Sequence, residues 1–340
     1  MTRKNFKNIL VTGGSGFIGS NFIHNFLENN PNSNVYNLDK LTYAGNNNNH
    51  LKIANNQKYT FVHGDICSKD TVSNLLKAQN IDAIINFAAE SHVDRSIDGP
   101  LDFINTNILG TFNLLQSSLN HFNETKKLLF VHISTDEVYG SLDIKDDSFT
   151  EKNQYKPNSP YSASKASSDH LVRAWHHTFG LPVITTNCSN NYGPFQFPEK
   201  LIPLTIINAL SNKPIKLYGD GTNIRDWLYV KDHCNAIEAV MKNGVVGDVY
   251  NIGGLNEKTN IEIVSLICDI LDKIKRKKSS YKELITFTDD RLGHDFRYAI
   301  DQSKISSELN WTPNETFESG IFKTVKWYIE NQRWVEDIQL

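Results

Sequence analysis

Cysteine is scarce: four residues in 340, none at the paired spacings of a disulfide framework or a zinc site. Cys67, Cys188, Cys234 and Cys268 therefore read as reduced thiols of a cytoplasmic protein. Metal-ligand spacing is also missing from the 11 histidines. His176 and His177 are adjacent, so on a helix they point to different faces and cannot chelate together. No metal is expected. No stretch approaches the roughly 20 consecutive apolar residues of a membrane span, and no membrane association is expected. Excess positive charge is absent too: the net charge is −3, which argues against a general nucleic-acid binder. Met1 to Asn5 runs directly into an apolar strand pattern, leaving no room for a secretion signal. What is present is ordinary for a packed enzyme. Hydrophobic residues make up 39% and aromatics 11%, and the length suits one large domain or a domain plus a smaller lobe.

The amino-terminal end carries a cofactor signature. Asn8-Ile9-Leu10-Val11-Thr12 has the apolar pattern of a buried parallel strand. It leads into Gly13-Gly14-Ser15-Gly16-Phe17-Ile18-Gly19, after which Phe22, Ile23, Phe26 and Leu27 follow helical spacing. In this strand–turn–helix context a glycine motif signals dinucleotide binding. Glycines let the backbone approach the pyrophosphate, and the helix start offers it free N–H groups. The spacing is G-x-x-G-x-x-G. A second strand, Asn34 to Leu38, ends at Asp39, where a carboxylate accepts from the adenosine ribose hydroxyls and repels a 2′-phosphate. NAD is thus favoured over NADP, a preference that Lys40 weakens slightly. Two further strands lead to Asp65-Ile66, an acid placed for the adenine amino group, and through Phe87 to the small pair Ala88-Ala89.

Chemistry is suggested by two later stretches. Tyr161 and Lys165 have the i, i+4 spacing that puts both on one helix face. An ammonium beside a phenol favours the phenolate, so Tyr161 can exchange a proton with an alcohol. Asp136 and Glu137 follow the apolar strand Leu128 to Ile133 and Ser134-Thr135. Oxidation of an alcohol needs one proton acceptor. A further acid and base suggest a second reaction, such as elimination of water.

Strands and helices alternate from Asn8 to about Ile184, which predicts an α/β fold with a doubly wound parallel Rossmann sheet. A smaller, irregular α/β C-terminal substrate lobe follows. The predicted division is 1–188 plus 223–252 for the NAD-binding domain and 189–222 plus 253–340 for the second lobe. Long helices are predicted over 101–119 and 162–179, and shorter ones over 201–211 and 260–274. Asn46 to Asn49 reads as a solvated loop. The basic run Lys273 to Lys278 reads as a solvated helix end.

These motifs resemble the extended short-chain dehydrogenase/reductases, and within them the dTDP-glucose 4,6-dehydratases. The resemblance rests on Thr12 to Gly19, Asp39 to Gly45, Phe87 to Ser96, Ser134 to Gly140, Tyr161 to Lys165, Ser189 to Pro194, Phe197 to Pro203, Arg225 to Trp227, Asn256 to Asn260 and Asp290 to Asp295. They span nearly the whole chain. The implied reaction oxidises the C4 hydroxyl of a nucleotide-linked glucose, eliminates water across C5/C6 and returns hydride to C6. The implied catalytic set is Thr135, Asp136, Glu137, Tyr161 and Lys165, with Asp136 as acid and Glu137 as base. Adjacency alone does not order those two. NAD is the implied cofactor, expected to stay bound through the redox-neutral cycle. Its implied contacts are Gly13, Gly16, Phe17, Ile18, Gly19, Asp39, Lys40, Leu41, Thr42, Asp65, Ile66, Phe87, Ala88, Ala89, Ser91, Thr106, Tyr161, Lys165 and Asn191. The substrate contacts implied are Ser91, Thr135, Asn190, Lys200, Leu201, Lys216, Tyr218, Arg225, Asn260, Arg291 and His294. An ion pair with Asp226 is the structural alternative for Arg225. A homodimer through a four-helix bundle is also implied, with Leu171 and Trp175 as contacts or as core. Asn187 and Phe296 stand where the family usually has basic residues, which thins the expected positive charge near the nucleotide. The alternatives are another NDP-hexose such as UDP-glucose, a sugar-nucleotide 4-epimerase, and a non-catalytic NAD-binding sensor.

Overall fold

The computed structural model describes residues 5–290 and 294–338. Its strands, in chain order, are β1 (Asn8–Thr12), β2 (Asn34–Asp39), β3 (Tyr59–His63), β4 (Ala83–Asn86), β5 (Leu129–Thr135), β6 (Val183–Cys188), β7 (Asn190–Tyr192), β8 (Ile215–Tyr218), β9 (Ile224–Tyr229), β10 (Val249–Ile252), β11 (Glu257–Thr259), β12 (Ile285–Thr288) and β13 (Arg297–Tyr298). Seven of them form one parallel sheet in the order β10-β6-β5-β4-β1-β2-β3. Every residue of β4, β5 and β6 is buried, as a strand covered on both faces requires.

The helices are α1 (Phe17–Asn29), α2 (Lys69–Ala78), α3 (Val93–Asp98), α4 (Pro100–Phe103), α5 (Thr111–Thr125), α6 (Pro160–Phe179), α7 (Leu201–Leu210), α8 (Val230–Asn243) and α9 (Asn260–Ile274), of which α1, α2, α5, α6 and α8 cover the sheet. One face packs α1 and α8 around Phe22, Phe26, Val131, Ile237 and Val240. The other packs α2, α5 and α6 around Leu76, Leu114, Phe130 and Val172. That two-sided covering is the doubly wound arrangement. Chain order reverses between β1 and β4, and the crevice at their carboxyl ends is where such sheets take ligands. The predicted helix over 101–119 is instead α4 and α5 joined by a π-helical stretch, Ile104–Gly110, in which Asn107 is buried.

The second lobe has its own core, built on Tyr192, Ile206, Ile263, Ile267, Leu271, Phe317 and Ile321. It contains a small sheet, β11-β9-β13 with β7 beside β9, and the pair β8-β12. Here the sequence-based division needs correction. Residues 223–229, grouped with the NAD domain, hold β9, whose partners are β7, β11 and β13 and not the central sheet. The chain returns to the central fold at α8. The α9 helix starts where predicted, because the Thr259 side chain accepts from Glu262 N and Glu262 reaches back to Thr259.

Candidate active site

The glycine turn closes over the ends of β1 and β4. Gly13 has φ +68°, and a Cβ there would stand 2.6 Å from Ala88 N. A Cβ on Gly19 would lie 2.4 Å from Gly13 O. Both glycines are thus required by close backbone packing. Gly16 is different: its φ is −78° and a Cβ would meet only Gly13 O, at 3.3 Å. Gly16 caps α1 without any side chain, so the first-turn N–H groups of Phe17 and Ile18 are left for another acceptor. This cradle fits a dinucleotide pyrophosphate. At the end of β2, Asp39 accepts from Ser15 N (2.9 Å) and Leu41 N (2.8 Å). Burial pushes its carboxyl up, against those two N–H groups. The carboxylate retains lone pairs for ribose hydroxyls.

The polar run Asn46 to Asn49 differs from its sequence reading. Asn47 and Asn48 are exposed, but Asn49 and His50 are buried. Asn49 Nδ2 donates to Ser15 O and His50 Nε2 donates to Gly14 O, at 3.0 and 2.9 Å. Burial pushes His50 down to about 4, so the ring is neutral. A short 3-10 segment, Asn47–Ile53, therefore straps the glycine turn from behind. Asparagine enrichment resembled a loop because the partners, two backbone carbonyls, carry no sequence signal.

Near the adenine end, Asp65 pairs with Lys40 at 2.7 Å and accepts from Cys67 N. Both acids and bases here line a cavity of about 980 Å³ with Thr42, Glu90 and Thr106. Ile66 is core, and its carbonyl accepts from Asn113. The Phe87 ring packs on Phe22. Ala88 packs against the core beside α2 and α5, and Ala89 follows it in the loop after β4. The Asn191 amide is committed elsewhere, to Ser189 O and to His233 Nδ1.

The catalytic candidates converge where β5 ends against the start of α6. Ser159 and Ser162 form a reciprocal capping box, and Pro160 fills the first turn. That cap places Tyr161 and Lys165 one turn apart, facing β5. Thr135 ends β5, its Oγ1 accepting from Glu137 N (3.3 Å) and lying 3.3 Å from Asp136 Oδ1. The Thr135 hydroxyl also hydrogen-bonds the Tyr161 phenol. Thr135, Asp136, Glu137, Tyr161 and Lys165 are thus brought together. Asp136 is 1% exposed, and its Oδ2 has no partner among the described residues. Burial first, then the neighbouring Glu137 and Asp226, raise its carboxyl well above the usual range, which favours its protonated form.

Tyr161 is a departure from expectation. Burial, Glu137 and Cys188 raise its phenol well above its ordinary value, and the Thr135 hydrogen bond opposes them. Lys165 Nζ donates to Ile133 O at 2.8 Å, and burial lowers its own proton affinity.

The substrate candidates are divided. Lys200 Nζ donates to Ser91 O, joining the lobe to the loop after β4. Asn190 Oδ1 is buried and lacks a partner among the described residues. Leu201 and Asn260 are the first residues of α7 and α9. Lys216 and Tyr218 lie on the exposed face of β8. The Tyr218 ring meets His294, whose Nδ1 lies 2.6 Å from Asp290 Oδ1. Arg291 lies outside the described residues. Arg225 does not pair with Asp226. Its guanidinium donates to the carbonyls of Ile224, Asp295 and Phe296, and covers the Tyr298 ring at 4.4 Å. Asp226 instead accepts from Gly254 N and Asn256 N. Asn187 is fully buried, donating to the Tyr139 and Tyr155 hydroxyls, so it does not alter charge at a nucleotide site. Sequence reading missed two residues here. Glu199, inside a quoted motif, faces His92 and Arg95 at 3.8 and 3.7 Å, and Tyr298 packs beneath Arg225.

No helix among the described residues is long and apolar enough to cross a membrane. No group of three or more His, Cys, Asp or Glu among them could hold a metal.

Residues 10–324 match the family model described as GDP-mannose 4,6 dehydratase. The chain is 55% identical to the dTDP-glucose 4,6-dehydratase of Shigella flexneri over 97% of this chain and 95% of that one. Among solved structures it is similar to the dTDP-glucose 4,6-dehydratase of Bacillus anthracis in complex with NAD, with TM-score 0.88, 47% identity and 98% and 99% of the two chains covered. The Streptomyces venezuelae enzyme of the same name, with NAD bound, gives TM-score 0.90 and 45% identity, with 97% and 99% covered.

Proposed function

The chain belongs to the dTDP-glucose 4,6-dehydratases, and from that membership and the site geometry we infer how its own residues carry the reaction. It is an NAD-dependent hydro-lyase that converts dTDP-glucose to dTDP-4-keto-6-deoxyglucose. Bound NAD supplies the hydride acceptor at C4 and the hydride donor at C6.

The observation that carries the residue assignment is the carboxyl pair after β5: a buried Asp136, its proton affinity raised by burial, beside Glu137 and one hydroxyl away from Tyr161. Tyr161 receives the C4 hydroxyl proton, with Thr135 bonded to the same oxygen. Lys165 orients toward the cofactor ribose. Once C4 is a ketone the C5 proton is acidic, and Glu137 removes it. Asp136, whose burial favours the protonated form, delivers a proton to the departing C6 hydroxyl. Two carboxyls in unequal environments can serve as acid and base at one pH. A 4-epimerase has no use for this pair.

Gly16, Phe17, Ile18 and Asp39 would hold the dinucleotide, and the second lobe would hold the nucleotide of the substrate. Lys200, Arg225 and Arg291 serve its diphosphate, since cations suit phosphate oxygens. The working division is the central sheet with its helices, including α8 and β10, against a lobe that takes β7 to β9 and the remainder after β10. A homodimer is supported by the apolar side chains that α4, the π-helical stretch and α5 leave in solvent: Leu101 is 64% exposed, Leu109 52% and Phe112 43%. Phe112 also touches Trp175 on α6, so one face of both helices is available for a four-helix contact. Light scattering tests this; a monomeric mass at micromolar concentration defeats it. Four free thiols suit a cytoplasmic protein, which fractionation of the source cells checks.

Substrate class is tested with dTDP-, UDP-, CDP- and GDP-glucose, reading the base-absorbing 4-keto product. A methyl group and a missing 2′-hydroxyl separate thymidine from uridine, so dTDP-glucose is expected to lead by about 10–200-fold in kcat/KM. Equal values would defeat the thymidine assignment, and no keto product from any would defeat the dehydratase reading.

A further inference from the structure

A chain of hydrogen bonds runs from the carboxyl-terminal helices to the glycine turn. Those helices are Phe317–Glu330 and Gln332–Asp337, and Phe317, Ile321, Val325 and Tyr328 seat the first of them in the second-lobe core. Trp334, half-buried on the second, meets the rings of Trp327 and Phe195 edge-on at 4.9 and 5.9 Å. Its Nε1 donates to Asn49 Oδ1 at 2.7 Å. Asn49 Nδ2 donates to Ser15 O and to Ser20 Oγ, each at 3.0 Å. Ser20 Oγ donates on to Gly16 O at 2.5 Å. The Asn49 carbonyl accepts from His24 Nε2 at 2.8 Å, and the His24 ring stacks on Phe195. Both amide hydrogens of Asn49 and its side-chain oxygen are thereby engaged, at a residue only 3% exposed.

We propose that Trp334 is a positioning residue for the cofactor: through Asn49 it fixes the glycine turn, and so ties retention of NAD to the second lobe. An indole N–H can only donate. It therefore selects the oxygen end of the Asn49 amide and leaves the nitrogen end facing Ser15 O and Ser20 Oγ. An amide turned the other way would set its oxygen against the Ser15 carbonyl. The strap needs such a tie, because a 3-10 segment has poorer backbone hydrogen bonds than an α-helix. Packing does not hold its middle either, since Leu51 is 70% exposed. Ser15 is then gripped at both ends, its N–H by Asp39 and its carbonyl by Asn49. A shift of Ser15 moves the ribose acceptor on one side and Gly16 on the other. A reaction that forms NADH and consumes it in place gains from a turn held this way.

This inference rests on the pyrophosphate lying at Gly16 to Ile18, so Gly16→Ala is measured beside Trp334→Phe, Trp327→Phe, Asn49→Ala and the Asn49→Ala/Trp334→Phe double variant. Each full-length protein is stripped, reloaded with NADH and mixed with excess NAD. The fall in bound-cofactor fluorescence gives the release rate. Trp334→Phe keeps an aromatic ring and loses the N–H donor. One neutral hydrogen bond is worth a factor of about 2–10, so release is expected to quicken by about that much. The Tm of the stripped protein should fall by no more than about 2 °C. Trp327→Phe leaves the bond intact and should release like wild type. In the Asn49→Ala background Trp334→Phe should add nothing, because the relay is already cut. Release from Trp334→Phe at the wild-type rate overturns the proposal, as does an equal gain from Trp327→Phe or an undiminished gain in the double variant. Should Asn49→Ala not fold, the comparison of Trp334→Phe with Trp327→Phe decides alone. Wild-type release from Gly16→Ala would overturn the pyrophosphate placement and the inference with it; quick release from Gly16→Ala with Trp334→Phe unmoved overturns the inference alone.

Discussion

Alanine at Gly13 and alanine at Gly16 should fail in different ways, because the two glycines answer different needs. At Gly13 the backbone is left-handed, φ +68°, which costs an L-residue about 1–2 kcal/mol. The new Cβ would also stand 2.6, 2.7 and 2.8 Å from Ala88 N, Ala88 Cα and Phe87 C. These are backbone atoms at the end of β4, hydrogen-bonded through Phe87 N to Thr12 O, and they cannot swing aside. Overpacking of this kind costs about 1–3 kcal/mol. The sum is about 2–5 kcal/mol. A chain of 340 residues unfolds with an entropy of about 0.7 kcal/mol per kelvin, so Tm should fall by about 3–7 °C. At Gly16 the backbone term is absent, φ being −78°, and the packing term is small: the one neighbour, Gly13 O, is 3.3 Å away and needs to yield by only a few tenths of an ångström. Gly16→Ala should melt within about a degree of wild type when both are stripped of nucleotide. Its defect should be in the cofactor, since the methyl occupies the face over which the pyrophosphate approaches. Differential scanning calorimetry of stripped protein and NAD(H) content after gel filtration read the two effects separately. A Gly16→Ala protein that keeps its nucleotide like wild type would refute the placement of the pyrophosphate. A Gly13→Ala protein of unchanged Tm would refute the steric reasoning.

Tyr161→Phe should lose hydride transfer, whereas Glu137→Gln and Asp136→Asn should oxidise C4 and then stall, each down by about 10²–10⁴-fold in turnover. Rapid mixing should show reduced nicotinamide accumulating in the two carboxyl variants; its absence, with oxidation also lost, would take these groups out of the elimination. Asp136→Asn should also be more stable than wild type at neutral pH. The folded protein raises this carboxyl, mainly by burial, while the unfolded chain ionises it near pH 4. The native state therefore binds the proton more tightly, and wild type loses stability as pH climbs from about 4 toward the folded-state value. The Tm advantage of the amide should vanish near pH 4 and grow toward pH 8; a constant difference across that range would contradict the burial argument.

Regular elements were readable in the sequence wherever burial imposes a period. The strands before Gly13, Asp39 and Ser134 are apolar because both faces are covered, and α9 announces itself through Thr259 and Glu262. The glycine turn and the Tyr161–Lys165 pair were readable because the chemistry demands those residue types at that spacing. Long-range polar pairing left no such trace. Asn49 and His50 look like loop residues until Ser15 O and Gly14 O are seen above them. Asn187 looked like lost charge, yet it joins Tyr139 to Tyr155 in the interior. Arg225 reads as a substrate contact with an ion pair to Asp226 as the alternative, and that pair is not formed. Alternation along β9 sends the two side chains to opposite faces, and each finds backbone partners far away in the chain. Residues 223–229 were grouped with the NAD domain because an apolar segment before a helix reads alike in either lobe, yet they hold β9, which pairs with β7, β11 and β13.

The claim beneath all of this is that one hydride leaves C4 and returns to C6 of the same sugar while Glu137 and Asp136 remove water between. It is tested most directly with dTDP-glucose deuterated at C4, given to the protein as purified and without added cofactor. The product is read by NMR and mass spectrometry. Deuterium is expected in the C6 methyl group of the 4-keto product, one atom per molecule, with turnover continuing on the resident NAD. Deuterium still on C4, or washed into solvent, or a requirement for stoichiometric NAD, would contradict it.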